Sequence, residues 1–510
     1  MREIARKIKT LGELAKISRD LKARGKKIVH CHGVYDLVHP GHIRHLAAAK
    51  KHGDVLIVTL TKDRHVKRGP GRPIFNEHLR AETLASLAAV EYVAAVDYPT
   101  AVEAIRAIRP DFYVKGQDYS DRKKDVTGKI YDEEKAVKAS GGRVVFTDDI
   151  TFSSSALINR HMEVYPPETV SYLKRLVKRY SVEDALGRMA DLKKLKVLVI
   201  GDAIIDQYHY CRPMAKSSKE PIVVNKYLSE ESFAGGAIAT ANHAAQVCGR
   251  VDLVTVLGKK EPFERFIRTH LGPNVAPRFF YRGDGRTTVK RRFVHSESPQ
   301  KFFEVCYMDD APLASAEEQR LAVYLNANLK RYDLVIVNDF GHGMLTPRLI
   351  EILCRKSRFL ALNVQTNSAN LGFNLVTKYG RADFVCIDEF EMRLATRERS
   401  ANLKDLVRRI QKKLRARVVA VTRGKDGALC YSAASAFTEA PAFSYHIVDK
   451  VGAGDAFFAY TAPCFAAGVP QDLTAFIGNA VGSLAVQIMG NREPVKVVDL
   501  VKFMTRLLKF

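Results

Sequence analysis

Apolar and polar positions along this chain follow two alternating rhythms. "KKIVHC" (26–31) and "DVLIVTL" (54–60) are apolar runs of strand length, and each leads through a loop into a stretch with helical spacing, from about Gly41 and over Asn76–Ala89. "EYVAAV" and "AVEAIRAIRPDFYVKG" repeat the rhythm, which closes near "VVFTDDITFSSSALINRH", around His161. Helix and strand in strict alternation predict a doubly wound parallel sheet with helices on both faces. At the start of the chain, Thr10 and Glu13 have the spacing of a capping box.

The pattern breaks at Pro166-Pro167, and a charged helical segment, Glu168–Lys196, reads as linker and lead-in. "KVLVIGDAIIDQY" (196–208) then predicts a buried strand running into a loop with two aspartates. Further strands are expected at "VDLVTVLG", "DLVIVNDF", "FLALNV", "DFVCI" and "RVVAVTRG". Between Cys211 and Tyr227, and between Arg286 and Met308, β-rich segments interrupt the alternation and predict a small sheet acting as a lid. The expected division is a first α/β domain over 1–163, a helical linker over 164–195 and a second α/β domain with a β lid over 196–510. No internal repeat of 20–50 residues appears.

Composition narrows the class. A chain of 510 residues with 46% hydrophobic and 27% charged positions is expected to fold into two or three globular domains. It contains no run of about 18 apolar residues, so no membrane span is expected, and "MREIARKIKTLGEL" lacks the apolar core of a secretory signal. Eight cysteines without a C-x-x-C pair fit reduced thiols in a cytoplasm and give no zinc site. The net charge of +25 suits anionic partners. No basic run is interleaved with aromatics, which disfavours nucleic acid and leaves phosphorylated small molecules or a basic, solvated surface.

"GVYDLVHPGHIRHL" (33–46) places His39 and His42 three residues apart where a turn becomes a helix. Free N–H groups and the positive end of the helix dipole lie beside them. Gly41 admits a phosphate close to the backbone, with Gly33 at the strand end assigned to the same anion site. Imidazoles there can donate to the charge that builds on an attacked α-phosphate. Lys67 and Arg72, in a basic loop after the next strand, and Ser153, Ser154 and Ser155, at an expected helix start, add phosphate contacts.

Together, "GVYDLVHPGHIRHL", "RPIFNEHLRAETLASLAAVEYV", "PDFYVKGQDY" and "FSSSALI" resemble the cytidylyltransferase-like nucleotidyltransferases over residues 26–161. More narrowly, they are similar to the transferase half of the bifunctional ADP-heptose synthesis enzymes. The resemblance implies that His39 and His42 stabilise the transition state and that Lys115 contacts phosphate or sugar, while Arg80 reads as a helix-surface residue. The chain departs from that family at "CHG", where His32 replaces a frequent Asn, and in a longer segment after Tyr119.

"DKVGAGDAFFAY" (449–460) carries a second chemistry. Gly452, Ala453 and Gly454 open a helix whose amides can hold a transferring phosphate, and Asp455 can accept the proton of an attacking hydroxyl. With "GDAIIDQY", "SFAGGAIATANHAAQV", "NDFGHGML" and "VTRGKDGALCY", this stretch resembles the ribokinase-like (PfkB) sugar kinases over 196–510. "SSKEPIVV" also points to the kinase half of the ADP-heptose enzymes, here in reversed domain order.

That resemblance makes Asp455 the general base and Gly452–Gly454 the anion hole, with Arg423 and Gly424 beside the nucleotide. Asp206, Gly235, Gly236 and Asn242 would hold the sugar, and Lys290 and Arg292 a substrate phosphate. Asn242 stands in for the usual sugar-binding Asn, since Ala239 and Thr240 occupy the family's position. The N-x-x-E motif is read as "CIDE" (386–389), with Glu389 the candidate Mg²⁺ ligand. No P-loop is present, and "GPGRPI" fails the dinucleotide-binding pattern at Ile74.

The combined expectation is a cytoplasmic bifunctional enzyme, with a homodimer formed through the kinase domain. It would phosphorylate a sugar phosphate of the heptose 7-phosphate type at its anomeric hydroxyl with Mg-ATP. It would then join the product to a nucleotide from ATP, CTP or another triphosphate. The alternatives are an active transferase with a drifted, sugar-sensing kinase half, or a nucleotide-dependent regulatory or nucleic-acid-binding protein.

Overall fold

In the first strand, β1 (Ile28–Gly33), and the next parallel one, β2 (Val55–Thr61), side chains alternate between two cores. Val29, Cys31, Leu56, Val58 and Leu60 face one core, while Ile28, Val55 and Ile57 face the other. Burial on both faces is the condition of a doubly wound sheet, and β2 is buried along its whole length. This computed structural model describes residues 2–66, 69–116, 129–147, 165–298, 300–444 and 447–509.

The first unit begins with α1 (Arg2–Lys7) and α2 (Leu11–Ala23), the latter opened by the expected Thr10–Glu13 capping box. Helices α3 (Pro40–Lys50), α4 (Glu77–Ala85), α5 (Val102–Ile108) and α6 (Lys129–Ala139) alternate with β1, β2, β3 (Tyr92–Val96), β4 (Phe112–Gly116) and β5 (Arg143–Thr147). The sheet is parallel in the order β3-β2-β1-β4-β5. Residues from Val501 onward also belong to this unit, where Phe503 covers Gly69 and the Arg506 guanidinium reaches the Tyr165 hydroxyl.

The second unit starts at Pro167, so most of the stretch read as a linker is part of it. There α7 (Pro167–Val177) and α8 (Val182–Asp191) are anchored by Tyr172, whose ring lies 6.2 Å from that of Phe443, and by the Tyr180 hydroxyl, which donates to Asp472 at 2.8 Å. Strand β6 (Lys196–Gly201) leads directly into β7 (Ala203–Lys216). Asp206, expected in a loop, therefore sits in a strand. The next elements are β8 (Val223–Gly236), α9 (Ala237–Ala244), β9 (Arg250–Lys260), α10 (Glu264–His270), β10 (Val275–Arg286), β11 (Thr288–His295) and β12 (Lys301–Tyr307). After them come α11 (Ser315–Asn328), β13 (Leu334–Asp339), α12 (Pro347–Lys356), β14 (Leu360–Val364), β15 (Phe384–Asp388), α13 (Glu389–Thr396) and α14 (Leu403–Leu414). The unit ends with β16 (Val418–Thr422), β17 (Ala428–Ser432), β18 (Ala436–Ala440), α15 (Ala453–Ala466), α16 (Gln471–Ala485) and the start of α17 (Val497–Leu507).

Among the described residues the main sheet runs β10-β9-β6-β13-β14-β15-β16-β17-β18, parallel from β10 to β16 and antiparallel beyond. The expected lid is a separate sheet, β12-β11-β7-β8. No described helix is long and apolar enough to cross a membrane.

Candidate active sites

In the first unit the turn between β1 and α3 is held from below. The Asp36 carboxylate accepts from the Arg72 guanidinium and, at 2.6 Å, from the Ile74 N–H, with both charged side chains buried. Arg72 thus fixes the loop through Nη1, while among the described residues its Nε and Nη2 find no hydrogen-bond partner. His39 is the N-cap of α3, and its Nδ1 accepts from the Gly41 N–H at 3.1 Å. An accepting Nδ1 puts the proton of the neutral ring on Nε2. Burial lowers the His39 pKa, which favours that neutral form. The His42 ring stacks on His39 at 4.0 Å, and Tyr35 meets His42 edge-on at 5.3 Å. A Cβ on Gly33 would sit 3.0 Å from the Tyr35 ring, so a larger residue there would press on that ring.

Lys115 leaves β4 and pairs with Glu133 at 2.8 Å over the Tyr113 ring. His32, unusual for the resembled family, lies between the hydroxyls of Thr59 at 2.8 Å and Thr61 at 3.2 Å. Arg80 is corrected from surface to core. It is 1% exposed and donates to the carbonyls of Phe75, Val34 and Thr61 and to the Asp63 carboxylate, tying α4 to the sheet edge. Lys67, Ser153, Ser154 and Ser155, and most of the segment after Tyr119, lie outside the described residues.

In the second unit the sequence-distant pieces converge. Asp455 lies in the first turn of α15, 7% exposed, and accepts from Gln365 Nε2 at 2.7 Å and Asn338 Nδ2 at 3.1 Å. Burial raises its pKa to about 7, opposed by the Gln365 hydrogen bond and reinforced by the charge of Asp206. A carboxylate poised there can take a proton near neutral pH. Gln365 and Asn338 are site residues that the motif reading missed. The polar ends of two otherwise apolar strands, "LVIVND" and "LNVQ", were the available signal.

Asp206 on β7 accepts from Arg292 at 2.5 Å and from Asn491 at 3.4 Å. A Cβ on Gly235 would lie 2.2 Å from Asp206 Oδ2, and Gly236 has φ +59 with a Cβ position 2.5 Å from the Asp202 carbonyl. Only glycines fit that approach. Lys290 is buried, opposite Asp206 in the β7–β11 register, with its ammonium 5.8 Å from the Phe340 ring. Arg292 also pairs with Glu304 at 2.6 Å, so two carboxylates already hold it. Gly452 has φ +82 and faces the Asn491 side chain, while nothing approaches the Cβ position of Gly454. Ala453 is the first residue of α15. Asp449, which opens the loop before α15, accepts from Tyr208 at 2.7 Å and Lys301 at 2.6 Å.

Other candidate residues are engaged within the protein. Asn242 donates to the His270 carbonyl at 2.8 Å and accepts from the Gly272 N–H at 2.9 Å, so both amide ends tie α9 to the end of α10. Arg423 caps the turn between β16 and β17, donating to the Asp426 carbonyl at 3.1 Å next to Gly424, which has φ +57. Glu389 pairs with Arg393 at 2.7 Å along α13. Glu391, two residues on, accepts from the Thr366 N–H at 3.0 Å, and burial raises its pKa to about 8. Asp388 caps α13 and closes a capping box with Glu391. The acidic run therefore continues past "CIDE" (386–389) to Glu391, a second candidate carboxylate beside Glu389. Among the described residues no group of three or more His, Cys, Asp or Glu could hold a metal ion. Magnesium needs no such cage where substrate phosphates and water complete its shell.

A sheet with a β lid, a small-residue helix start and a buried acid behind it define the class of ribokinase-like carbohydrate kinases. Residues 194–497 match the pfkB family carbohydrate kinases, and the chain belongs to that family. Residues 30–160 match the cytidylyltransferase-like family. Among solved structures, Escherichia coli phosphofructokinase-2 in complex with potassium superposes with a TM-score of 0.52 at 16% identity, covering 61% of this chain and 99% of that one. The same enzyme in complex with substrates and products gives 0.52 at 15%, with the same coverage.

Two relatives are named "Bifunctional protein HldE". That of Gluconobacter oxydans is 38% identical over 156 residues, 30% of this chain and 31% of the relative. That of Aliarcobacter butzleri is 45% identical over 139 residues, 27% and 29% of the respective lengths. The chain spans about a third of the length of the curated relatives it matches.

Proposed function

We propose that the chain is a bifunctional enzyme that makes a nucleotide sugar in two steps. In the second unit Asp455 takes the proton of a sugar's anomeric hydroxyl as its oxygen attacks the γ-phosphorus of ATP; that O–P bond forms, the bond to the β-phosphate bridging oxygen breaks, and ADP leaves. The amides of Gly452, Ala453 and Gly454 receive the developing charge. Asp206, Gly235 and Gly236 orient the sugar, and Lys290 sits between Asp206 and Phe340 as the nearby cation. Arg423 and Gly424 belong to the turn assigned to the nucleotide. Mg²⁺ bound by the ATP phosphates, with Glu391 as the protein carboxylate, would supply charge neutralisation.

In the first unit a phosphate oxygen of the sugar 1-phosphate attacks the α-phosphorus of a nucleoside triphosphate, and pyrophosphate leaves. His39 Nε2–H and the His42 imidazole donate to the α-phosphate as its charge rises, with Gly33 and Gly41 keeping the approach open. Lys115, Lys67 and Ser153–Ser155 are assigned to phosphates, and Arg72 to the loop that carries the histidines. The resemblance to the ADP-heptose synthesis enzymes favours heptose 7-phosphate as the acceptor of the kinase step and ATP as the nucleotide donor of the transfer step.

The observation that carries this reading is the burial of Asp455 at a helix start, with a pKa near 7 and two fixed amide donors. The test is ADP and pyrophosphate release by the full chain, with ATP, CTP or GTP, heptose 7-phosphate and a panel of sugar 1-phosphates. Release of both products with heptose 7-phosphate establishes the sequence, and release of neither across the panel overturns it. Eight free cysteines support a reducing cytoplasm. Val223 and Tyr227 on β8 and Phe303 on β12 expose apolar surface on the lid, which supports a homodimer through that sheet; a monomer in sedimentation would refute it.

A further inference from the structure

The end of the chain supplies a brace for the loop that holds the His39 turn. From Val501 onward, α17 belongs to the first unit. Phe503, Met504 and Leu507 on that helix are fully buried. Arg506 lies among them, 3% exposed, with its guanidinium 5.0 Å from the Phe503 ring and 5.8 Å from the Tyr165 ring. It donates to the Tyr165 hydroxyl and reaches the Pro70 carbonyl at 3.5 Å. A guanidinium is costly to bury, and packing alone would be served better by an apolar side chain. The position is therefore explained by what the guanidinium contacts.

Those contacts fall on residues 69–74. Gly69 has φ +90, and a Cβ there would run into the Phe503 ring, so its backbone lies directly against α17. Pro70, which meets Arg506, is the next residue. Two positions on, Arg72 pairs with Asp36, and Ile74 donates its N–H to the same carboxylate at 2.6 Å. The charges of Arg72 and Asp36 also act on Arg506, whose pKa burial lowers.

Asp36 in turn follows Tyr35, whose ring meets His42 edge-on. Three residues further lies His39, whose Nδ1 accepts from the Gly41 N–H. A line of buried contacts thus runs from α17 through residues 69–74 and Asp36 to the turn that carries both histidines.

We propose that Arg506 is a positioning residue for nucleotidyl transfer. With Phe503 it fixes residues 69–74, so that Arg72 stays on Asp36 and the His39–His42 turn keeps the geometry that meets an α-phosphate. This rests on the nucleotidyltransferase reading of the two histidines. It adds to that reaction a residue far outside 30–160, the stretch that matches the cytidylyltransferase-like family.

The test uses the full chain and its Arg506→Ala, Arg506→Lys, Tyr165→Phe, Arg72→Ala and Arg72→Ala/Arg506→Ala variants. Pyrophosphate release is measured with ATP, CTP or GTP and a panel of sugar 1-phosphates. Arg506→Ala is expected to lower kcat about tenfold or more with each KM within about twofold, because misplaced groups cost rate rather than binding. Arg506→Lys, which keeps the charge and a donor, restores part of the loss. Tyr165→Phe, which removes only the accepting hydroxyl, shows a smaller loss. The double variant falls no more than about twofold below the worse single variant, since one path carries both effects. Losses that multiply, a change in KM alone, or an unchanged kcat in Arg506→Ala would overturn the proposal.

Hydrogen exchange on the same proteins separates positioning from general loosening. In Arg506→Ala, faster exchange is expected over 33–46 and 69–74, with β3, β4 and kinase turnover unchanged. Loosening of the whole unit, or of neither segment, refutes the brace. If the wild type releases no pyrophosphate across the panel, the transferase reading fails, and the exchange pattern alone decides whether Arg506 holds the turn. If Arg506→Ala does not fold, Tyr165→Phe carries both comparisons, and unchanged kcat and exchange in that variant refute the proposal.

Discussion

Both candidate sites lie where a loop enters a helix, yet they are assembled over very different spans of chain. His39, Gly41 and His42 fall within four residues, and their rings stack and turn Nδ1 toward Gly41 within a single turn. Asp455 is equally local to its glycines, but its character is set by Asn338 and Gln365, about a hundred residues away, and by Asp206, still farther. A site built from one turn can be read from one stretch of sequence. A site whose acid is tuned by burial depends on which strands lie next to each other.

The comparison breaks most sharply if the two halves are inactivated separately. Asp455→Asn is expected to lower sugar phosphorylation by about 10²–10⁴-fold, with pyrophosphate release from a supplied sugar 1-phosphate unchanged. Coupled ADP and pyrophosphate assays on one preparation check it. His39→Ala is expected to do the reverse, lowering pyrophosphate release by about 10²–10³-fold and sparing ADP release. Loss of both activities in either variant would mean that the halves do not act independently.

A smaller effect separates the two glutamates of α13. Glu391→Gln should lower kinase turnover about 10–100-fold and raise the Mg²⁺ concentration needed, whereas Glu389→Gln, which loses only its Arg393 partner, should stay within twofold. Magnesium titration of both variants reads this directly.

The pH dependence sharpens the tuning argument. A base must be deprotonated, so with the Asp455 pKa near 7 kinase turnover should rise as pH increases from 6 to 8. The Gln365 hydrogen bond holds that pKa down, so Gln365→Ala should move the rising limb to higher pH. A pH–kcat profile that does not move would remove Gln365 from the site.

The mildest expectation concerns Asn242. Its two amide bonds tie backbone to backbone, so Asn242→Ala should cost about 1–3 kcal/mol of stability, lower Tm and leave the sugar KM unchanged.

Much of the fold was legible because strands buried on both faces read as apolar runs whatever they pack against. The lid was legible from its broken rhythm, although β7 begins at Ala203, earlier than its alternating part suggested. Other features were not local. Arg80 looks like a surface residue on α4 and is buried because the turn after β1 and the end of β2 present carbonyls to it. Glu389 and Glu391 are two residues apart in a run of acids, and only the tertiary structure shows that Glu389 is taken up by Arg393 while Glu391 is desolvated. Asn242 fits the spacing of a sugar contact, yet α10 brings a carbonyl and an N–H to it first.

By itself, then, the sequence determined the two α/β halves, the lid, the histidine turn and the GAGD helix start, because each follows from periodicity or from residues adjacent in the chain. The tertiary structure decided which acid is tuned and which arginine is scaffold. Those properties come from burial and from neighbours distant in sequence, and desolvation is set by everything packed around a group rather than by the residues beside it in the chain.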